Sequence, residues 1–353
     1  IDLEIASSIL YPRPFNIVCT SDGFVGKDWL MRHIGCIPTA KFVSDTVLIK
    51  DMMYALRTLK SSVLLYPEAS YSFDGTATPL PESLGKCLKL LKVPVVMIRT
   101  YGAFHRDPLY NGLRLRKVDV SADVEYLLSP EDIAEKSVAE LNAILASRFS
   151  FDNWQWQKDK KLLVKEPFRA EGLSRVLYKC PHCGEEEFMR ASGTKLTCTS
   201  CGKAYELTEY GEMKAEQGVT EFPHIPDWYR WEREEVRKEI LQGSYFLDIP
   251  VTIRMSLNSK AIYTVGTGRL QHSKDGFHLT GCDGKLDFHR SPLDSYSVYS
   301  DYCRYEIGDM ISIGDQDRLY YCFPEEGVDV AAKTRLAQEE IYRLAKEQLH
   351  KDA

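Results

Sequence analysis

Over residues 1–150, short apolar runs alternate with amphipathic stretches, the pattern of an α/β layer with a largely buried sheet. Strands are predicted at 15–19, 63–66, 95–99 and 118–122. Between them, residues 45–60 place Leu48, Met52, Leu56 and Leu59 at helical spacing behind Asp45 as a cap, and 82–91 repeats the theme. Ser129, followed by Pro130 at the first helical position and by Asp132, opens a helix on which Ile133, Leu141 and Leu145 share a face. One continuous helix is expected to close this first domain.

The pattern then changes. Residues 151–175 form a Trp-bearing linker with Trp154 and Trp156, 176–215 hold a cysteine cluster, and 216–243 contain a polar connecting helix running from Asp227 through Glu239. Residues 244–353 alternate in the β manner up to Phe323, with turn signals at Asn258-Ser259, Asp275-Gly276 and Asp283-Gly284, and end in a helix over about 328–349. A small antiparallel barrel or sandwich with one closing helix is expected, and in element order it resembles the pleckstrin-homology type.

Composition narrows the function classes. The 353 residues are 44% hydrophobic and 27% charged, so disorder is excluded as the main state. Fifty-one acidic against 45 basic residues give a net charge of −6, which argues against broad nucleic-acid binding. No apolar run approaches the roughly 18 residues of a membrane-spanning helix, and the chain opens at Ile1 without the features of a signal peptide. Of ten cysteines, four form two Cys-x-x-Cys pairs and six are scattered; a reducing compartment, the cytoplasm, fits this usage.

Cys180-Pro-His-Cys183 and Cys198-Thr-Ser-Cys201 are each followed by glycine, Gly184 and Gly202. Four thiolates at this spacing can close a tetrahedron around structural zinc, leaving no position open for catalysis. The competing readings are two disulfides or a redox pair, but a redox Cys-x-x-Cys would be single and sit at a strand–helix junction. His182 is expected to be a surface residue. Glu185, Glu186 and Glu187 flank the first knuckle where phosphate contacts would need cations.

A second signal is Tyr66-Pro67-Glu68-Ala69-Ser70-Tyr71-Ser72, a carboxylate and several hydroxyls at the carboxyl end of a strand, where α/β folds bind ligands. With its surroundings it resembles the third sequence block of the glycerolipid (lysophosphatidate-type) acyltransferase family, Phe-Pro-Glu-Gly-Thr-Arg-Ser. Ile34-Gly35-Cys36-Ile37-Pro38 is similar to the second block, and Val93-Pro94-Val95-Val96-Met97-Ile98 to the fourth. The resemblance covers roughly the first 150 residues and implies transfer of a fatty acyl group from a thioester, on coenzyme A or acyl carrier protein, to a hydroxyl of a lysophospholipid such as 1-acylglycerol-3-phosphate.

The family's first block, Asn-His-x-x-x-x-Asp, supplies a general-base His and an Asp that orients it. Asp2 stands where that aspartate is expected, with the His five positions earlier. His278 with Asp283 and His289 with Asp294 also satisfy the spacing, but in the β-rich zone and after the blocks they should precede. The resemblance places substrate contacts at Gly35, Ile37, Pro38, Pro67, Glu68, Ser70, Tyr71 and Ser72. Tyr71 replaces the family's Arg and Ala69 its glycine, so a guanidinium grip on phosphate is absent there. Either another cation, such as Lys41, Arg99 or Arg106, meets the acceptor phosphate, or the acceptor is not lysophosphatidate. Glu68 can equally cap nearby backbone amides. Cys19, Cys36 and Cys87 are expected to be inert thiols. Lipid substrates imply a peripheral membrane association, with Trp154, Trp156 and the lysines of 158–161 as an interfacial patch or, alternatively, a Trp pair packing the linker onto the first domain. Two readings stand: a lysolipid acyltransferase, and a catalytically inactive relative serving as a zinc-ribbon scaffold for lipid or protein.

Overall fold

The computed structural model describes residues 2–43, 46–257, 261–304, 307–315, 318–325 and 329–352. Asp45, the Asn258-Ser259 turn and Val328 lie outside the described residues.

The first zone contains α1 (Asp2–Leu10), β1 (Phe15–Thr20), α2 (Asp28–His33), β2 (Cys36–Thr39), α3 (Thr46–Arg57), β3 (Ser62–Leu64), α4 (Leu84–Leu91), β4 (Val95–Tyr101), α5 (Ala103–Arg106), β5 (Ser121–Leu128), α6 (Pro130–Glu135) and α7 (Val138–Phe149). It is α/β, but its strands form two sheets rather than one: a parallel sheet of order β2-β1-β3, and an antiparallel pair β4-β5. Pro38 sits in β2, an edge strand, opposite Cys19, where a missing N–H is tolerated. The strand expected at 118–122 lies instead at Ser121–Leu128, and most of it is exposed or half-buried. Polar Asp123 and Glu125 interrupt its apolar residues, so periodicity alone placed it too early. The helix expected from Ser129 onward breaks in two. Ser137 accepts from the Glu140 amide and Glu140 reaches back to the Ser137 amide, a second capping box that starts α7. Ile133, Leu141 and Leu145 are all buried, as their spacing implied.

The linker carries α8 (Asn153–Asp159), capped by the Asp152 carboxylate. Its Trp154 is buried, donating from Nε1 to the Asp74 carbonyl at 2.7 Å, and Trp156 stacks near Tyr101 and His105. The Trp pair therefore packs the linker onto the first zone. A four-stranded antiparallel ribbon follows, β6 (Met189–Ser192), β7 (Lys195–Cys198), β8 (Ala204–Leu207) and β9 (Met213–Ala215), and then α9 (Ile225–Gln242), ended by Gly243 in the left-handed region.

The last zone is one seven-stranded antiparallel sheet, built from β10 (Leu247–Leu257), β11 (Ala261–Ser273), β12 (Gly276–Gly281), β13 (Leu286–Arg290), β14 (Tyr299–Arg304), β15 (Gly308–Gly314) and β16 (Arg318–Pro324), followed by α10 (Ala331–Asp352). The strand order is β13-β12-β11-β10-β16-β15-β14. No helix among the described residues is long and apolar enough to cross a membrane.

The largest core does not respect the compositional zones. It joins Phe73 and Tyr110 of the first zone, Trp154 of the linker, Leu196 and Tyr205 of the ribbon, Trp228 of α9, Tyr302 of β14 and Leu336 of α10. Two buried histidines in and beside it are held towards the neutral form. His272 lies between the Tyr245 hydroxyl and Gln338, and burial lowers its pKa to about 3. Burial likewise takes His105, which bonds the Asn153 carbonyl, down to about 4. An unfolded histidine titrates near 6.5, so the unfolded chain takes up these protons first and stability falls as pH drops from about 6.5 towards these values. In denaturant unfolding at pH 7, 5.5 and 4.5, wild type should lose about 1.4 kcal/mol per pH unit more than His272→Gln below pH 6. Parallel slopes would mean that His272 is not held neutral.

Candidate functional site

Two places concentrate the chemistry anticipated from the sequence. In the ribbon, Gly184 and Gly202 adopt left-handed φ values of 79° and 76°, a conformation that glycine reaches without steric cost. Each turn folds back on its cysteine: Gly184 N–H donates to the Cys180 carbonyl and Gly202 N–H to the Cys198 carbonyl. The amides of His182 and Cys183 point at the Cys180 sulfur, and those of Glu185 and Lys203 at Cys183 and Cys201. All four sulfurs lie within 4.8 Å of one another. Cys180 to Cys201 and Cys183 to Cys198 are each 3.8 Å apart, close to the spacing of about 3.8 Å that sulfurs take when each sits about 2.3 Å from a tetrahedral ion. The four cysteines are therefore close enough to hold a metal ion, compatible with structural zinc. Cys180 and Cys198 face the core and Cys183 and Cys201 the solvent. His182 stays outside the cluster, exposed and paired with Glu221.

The second place is a cavity of about 2420 Å³ in the first zone. It lies between the two sheets, walled by residues of β1, β3 and β4 and of α1, α3 and α4. Its lining is largely aliphatic, including Leu3, Ile17, Met52, Leu65, Met97 and Leu145. Asp2, Lys41, Pro67, Glu68, Ser70, Tyr71 and Ser72 all line it, whereas Gly35, Ile37 and Pro38 do not. Ile37 is a core residue packed with Val18, Met52 and Ala55, and Gly35 bonds Asn16 through its carbonyl. The second-block residues shape the sheet behind the cavity rather than its wall.

Glu68 caps the loop, accepting from the Thr78 amide at 2.8 Å and from the Thr78 hydroxyl at 3.3 Å. Burial raises its pKa against those two bonds, and the charge of Asp2 adds to the rise. Ala69 holds φ at 58°. This is the left-handed region that glycine reaches without steric cost, here held by alanine at about 1–2 kcal/mol of local strain. Ser72 is occupied within its own turn: its hydroxyl donates to the Thr76 carbonyl at 2.6 Å and accepts from the Gly75 amide. Gly75 itself is required, because a Cβ there would lie 2.7 Å from Trp154 Nε1 and 2.8 Å from Phe104. Asp2 starts α1 and receives the Thr100 hydroxyl at 3.5 Å.

The C-terminal zone reaches this site, and nothing in the sequence signalled it. Residues 293–296 and Tyr342 complete the cavity wall. Arg335 of α10 donates to the Tyr71 carbonyl at 2.9 Å and lies 3.5 Å from the Phe73 ring centroid. Lys41 places its ammonium 4.0 Å from the Tyr299 ring centroid; burial lowers its pKa to about 8, opposed by the charge of Asp301. Arg304 pairs with Asp22, and Lys346 with Glu82. Arg99 is engaged with the Arg148 carbonyl and Arg106 with that of Val118. Burial raises the Cys19 thiol to about 12 and also raises Cys87, so neither is an activated nucleophile. Among the described residues, no histidine lines the cavity.

No family model matches the chain, and neither does any curated protein or solved structure.

Proposed function

We propose that the first zone is an O-acyltransferase that moves a fatty acyl group from an acyl-coenzyme A or acyl carrier protein thioester to a hydroxyl of a lysophospholipid. One observation carries this reading: an aliphatic cavity of about 2420 Å³ has the carboxylates of Asp2 and Glu68 in its wall. Each methylene of an acyl chain that leaves water for such a wall contributes about 0.8 kcal/mol. In the reaction the acceptor hydroxyl oxygen attacks the thioester carbonyl. A C–O bond forms, the C–S bond breaks, and the hydroxyl proton passes through a general base to the leaving thiolate. The resemblance assigns the base to a histidine five positions before Asp2, outside the described residues, with Asp2 orienting it. Glu68 holds the loop that faces the acceptor.

The test is incorporation of labelled acyl groups from both donors into a panel of lysolipids by the full-length protein. Transfer to at least one acceptor is expected, with Asp2→Asn lowering it about 10²–10⁴-fold. No product from any pairing would sink the enzyme reading.

The four-cysteine cluster is read as a structural zinc site, and the last zone as a pleckstrin-homology-like domain. Its strand order and single C-terminal helix support that reading. Such a domain suits peripheral docking on the cytoplasmic face of a membrane. A second reading, a non-catalytic scaffold for lipid or protein, is favoured by the engagement of Lys41 with Tyr299 instead of an open contact for an acceptor phosphate.

A further inference from the structure

The histidines of the two His-x-x-x-x-Asp matches in the β-rich zone do not line the cavity, yet they come together on one surface. His278 of β12 lies directly opposite His289 of β13, and Asp287 is two residues before His289. Strand alternation turns Phe277, Leu279 and Phe288 into the core, so His278, Asp287 and His289 share the outer face. The imidazoles stack with centroids 3.8 Å apart at 13°. His278 Nε2 lies 2.8 Å and His289 Nε2 3.1 Å from the same atom, Asp287 Oδ1. Two imidazole nitrogens and a carboxylate oxygen thus converge within 4.8 Å of one another.

We propose that His278, Asp287 and His289 form a second metal site that binds a divalent transition ion of the zinc type. Two neutral imidazoles and one carboxylate are the donor set such ions prefer, and three protein ligands leave further positions to water or an external ligand. Binding exchanges the two N–H···O contacts on Asp287 for three metal–ligand bonds, each imidazole moving its proton to Nδ1. The site is separate from the four cysteines in both zone and chemistry. Because β13 is an edge of the seven-stranded sheet, an ion bridging it to β12 also clasps that edge.

The experiment is equilibrium dialysis of the full chain against Zn²⁺, with metal content read by mass spectrometry. Wild type should hold one more zinc per chain than a His278→Ala/His289→Ala variant, and Asp287→Asn should weaken the extra site by about tenfold or more. All three side chains lie on the outer face of the sheet, His278 half-buried and the other two exposed, and unchanged far-UV circular dichroism verifies that the variants fold. Zn²⁺ should also slow amide exchange in β13 of wild type but not of the double variant. Equal metal content in wild type and double variant, or an extra zinc that survives Asp287→Asn undiminished, would overturn the proposal.

Discussion

Cys198→Ser should abolish metal binding by the ribbon and leave little folded protein. The expectation follows from where the cluster sits. Cys180 and Cys198 belong to the same core as Trp228, Tyr302 and Leu336, so the loss of a ligand at either position acts directly on the largest core. Metal binding in small zinc modules contributes about 10–16 kcal/mol of apparent free energy, comparable to the whole stability of an ordinary protein, about 5–15 kcal/mol. Freshly purified wild type should contain one tightly held zinc in the four-cysteine site. Removal by a strong chelator should lower the melting temperature and expose tryptophan fluorescence from Trp228. A metal-free protein that melts as the wild type does would contradict the structural role of the four cysteines.

The second large effect is expected at Arg335. Its guanidinium donates to the Ser300 hydroxyl at 3.1 Å, the Ser300 carbonyl at 2.9 Å and the Tyr71 carbonyl at 2.9 Å, while covering the Phe73 ring. Only 4% of the residue is exposed. Hydrogen bonds to a charged group contribute about 1.5–3 kcal/mol each, and truncation leaves two carbonyls and a hydroxyl in a buried space. Arg335→Ala should therefore destabilise the chain by about 4 kcal/mol in denaturant unfolding. It should also make the 66–72 loop a preferred site of proteolysis. Arg335→Lys should recover only part of the loss, since an ammonium cannot span both strand and loop as a planar fork does. An Arg335→Ala variant within about 1 kcal/mol of wild type would show that α10 does not hold the third-block loop.

What the sequence disclosed was mainly what short-range chemistry decides. The two knuckles were legible because thiol spacing and a following glycine specify the turn and the ligand set together. The buried face of α6 and α7 was legible through Ile133, Leu141 and Leu145, but not the break between them, because the Ser137–Glu140 capping box lay inside an uninterrupted apolar period. Ala69 looked like a departure from the resembled block. Its backbone nevertheless takes the glycine conformation, because the Glu68–Thr78 bonds fix the loop more strongly than the residue's own preference resists. The cavity's C-terminal wall and the Lys41–Tyr299 contact were not legible at all. Both join residues well over a hundred positions apart, and neither pattern nor spacing carries such information. The division of the first zone into two sheets has the same cause, since strand partners are chosen by tertiary packing.

The Arg335 contact also bears on how the chain is made. Tyr71 and Arg335 are 264 residues apart, which at synthesis rates of about 5–20 residues per second separates their emergence by roughly 13–50 s. During that interval the third-block loop lacks the guanidinium that holds its carbonyl, and for most of it the strand that covers Lys41 is missing too. The first zone must therefore wait on the ribosome with its aliphatic cavity wall incomplete until α10, which contributes Tyr342 to that wall, has been translated.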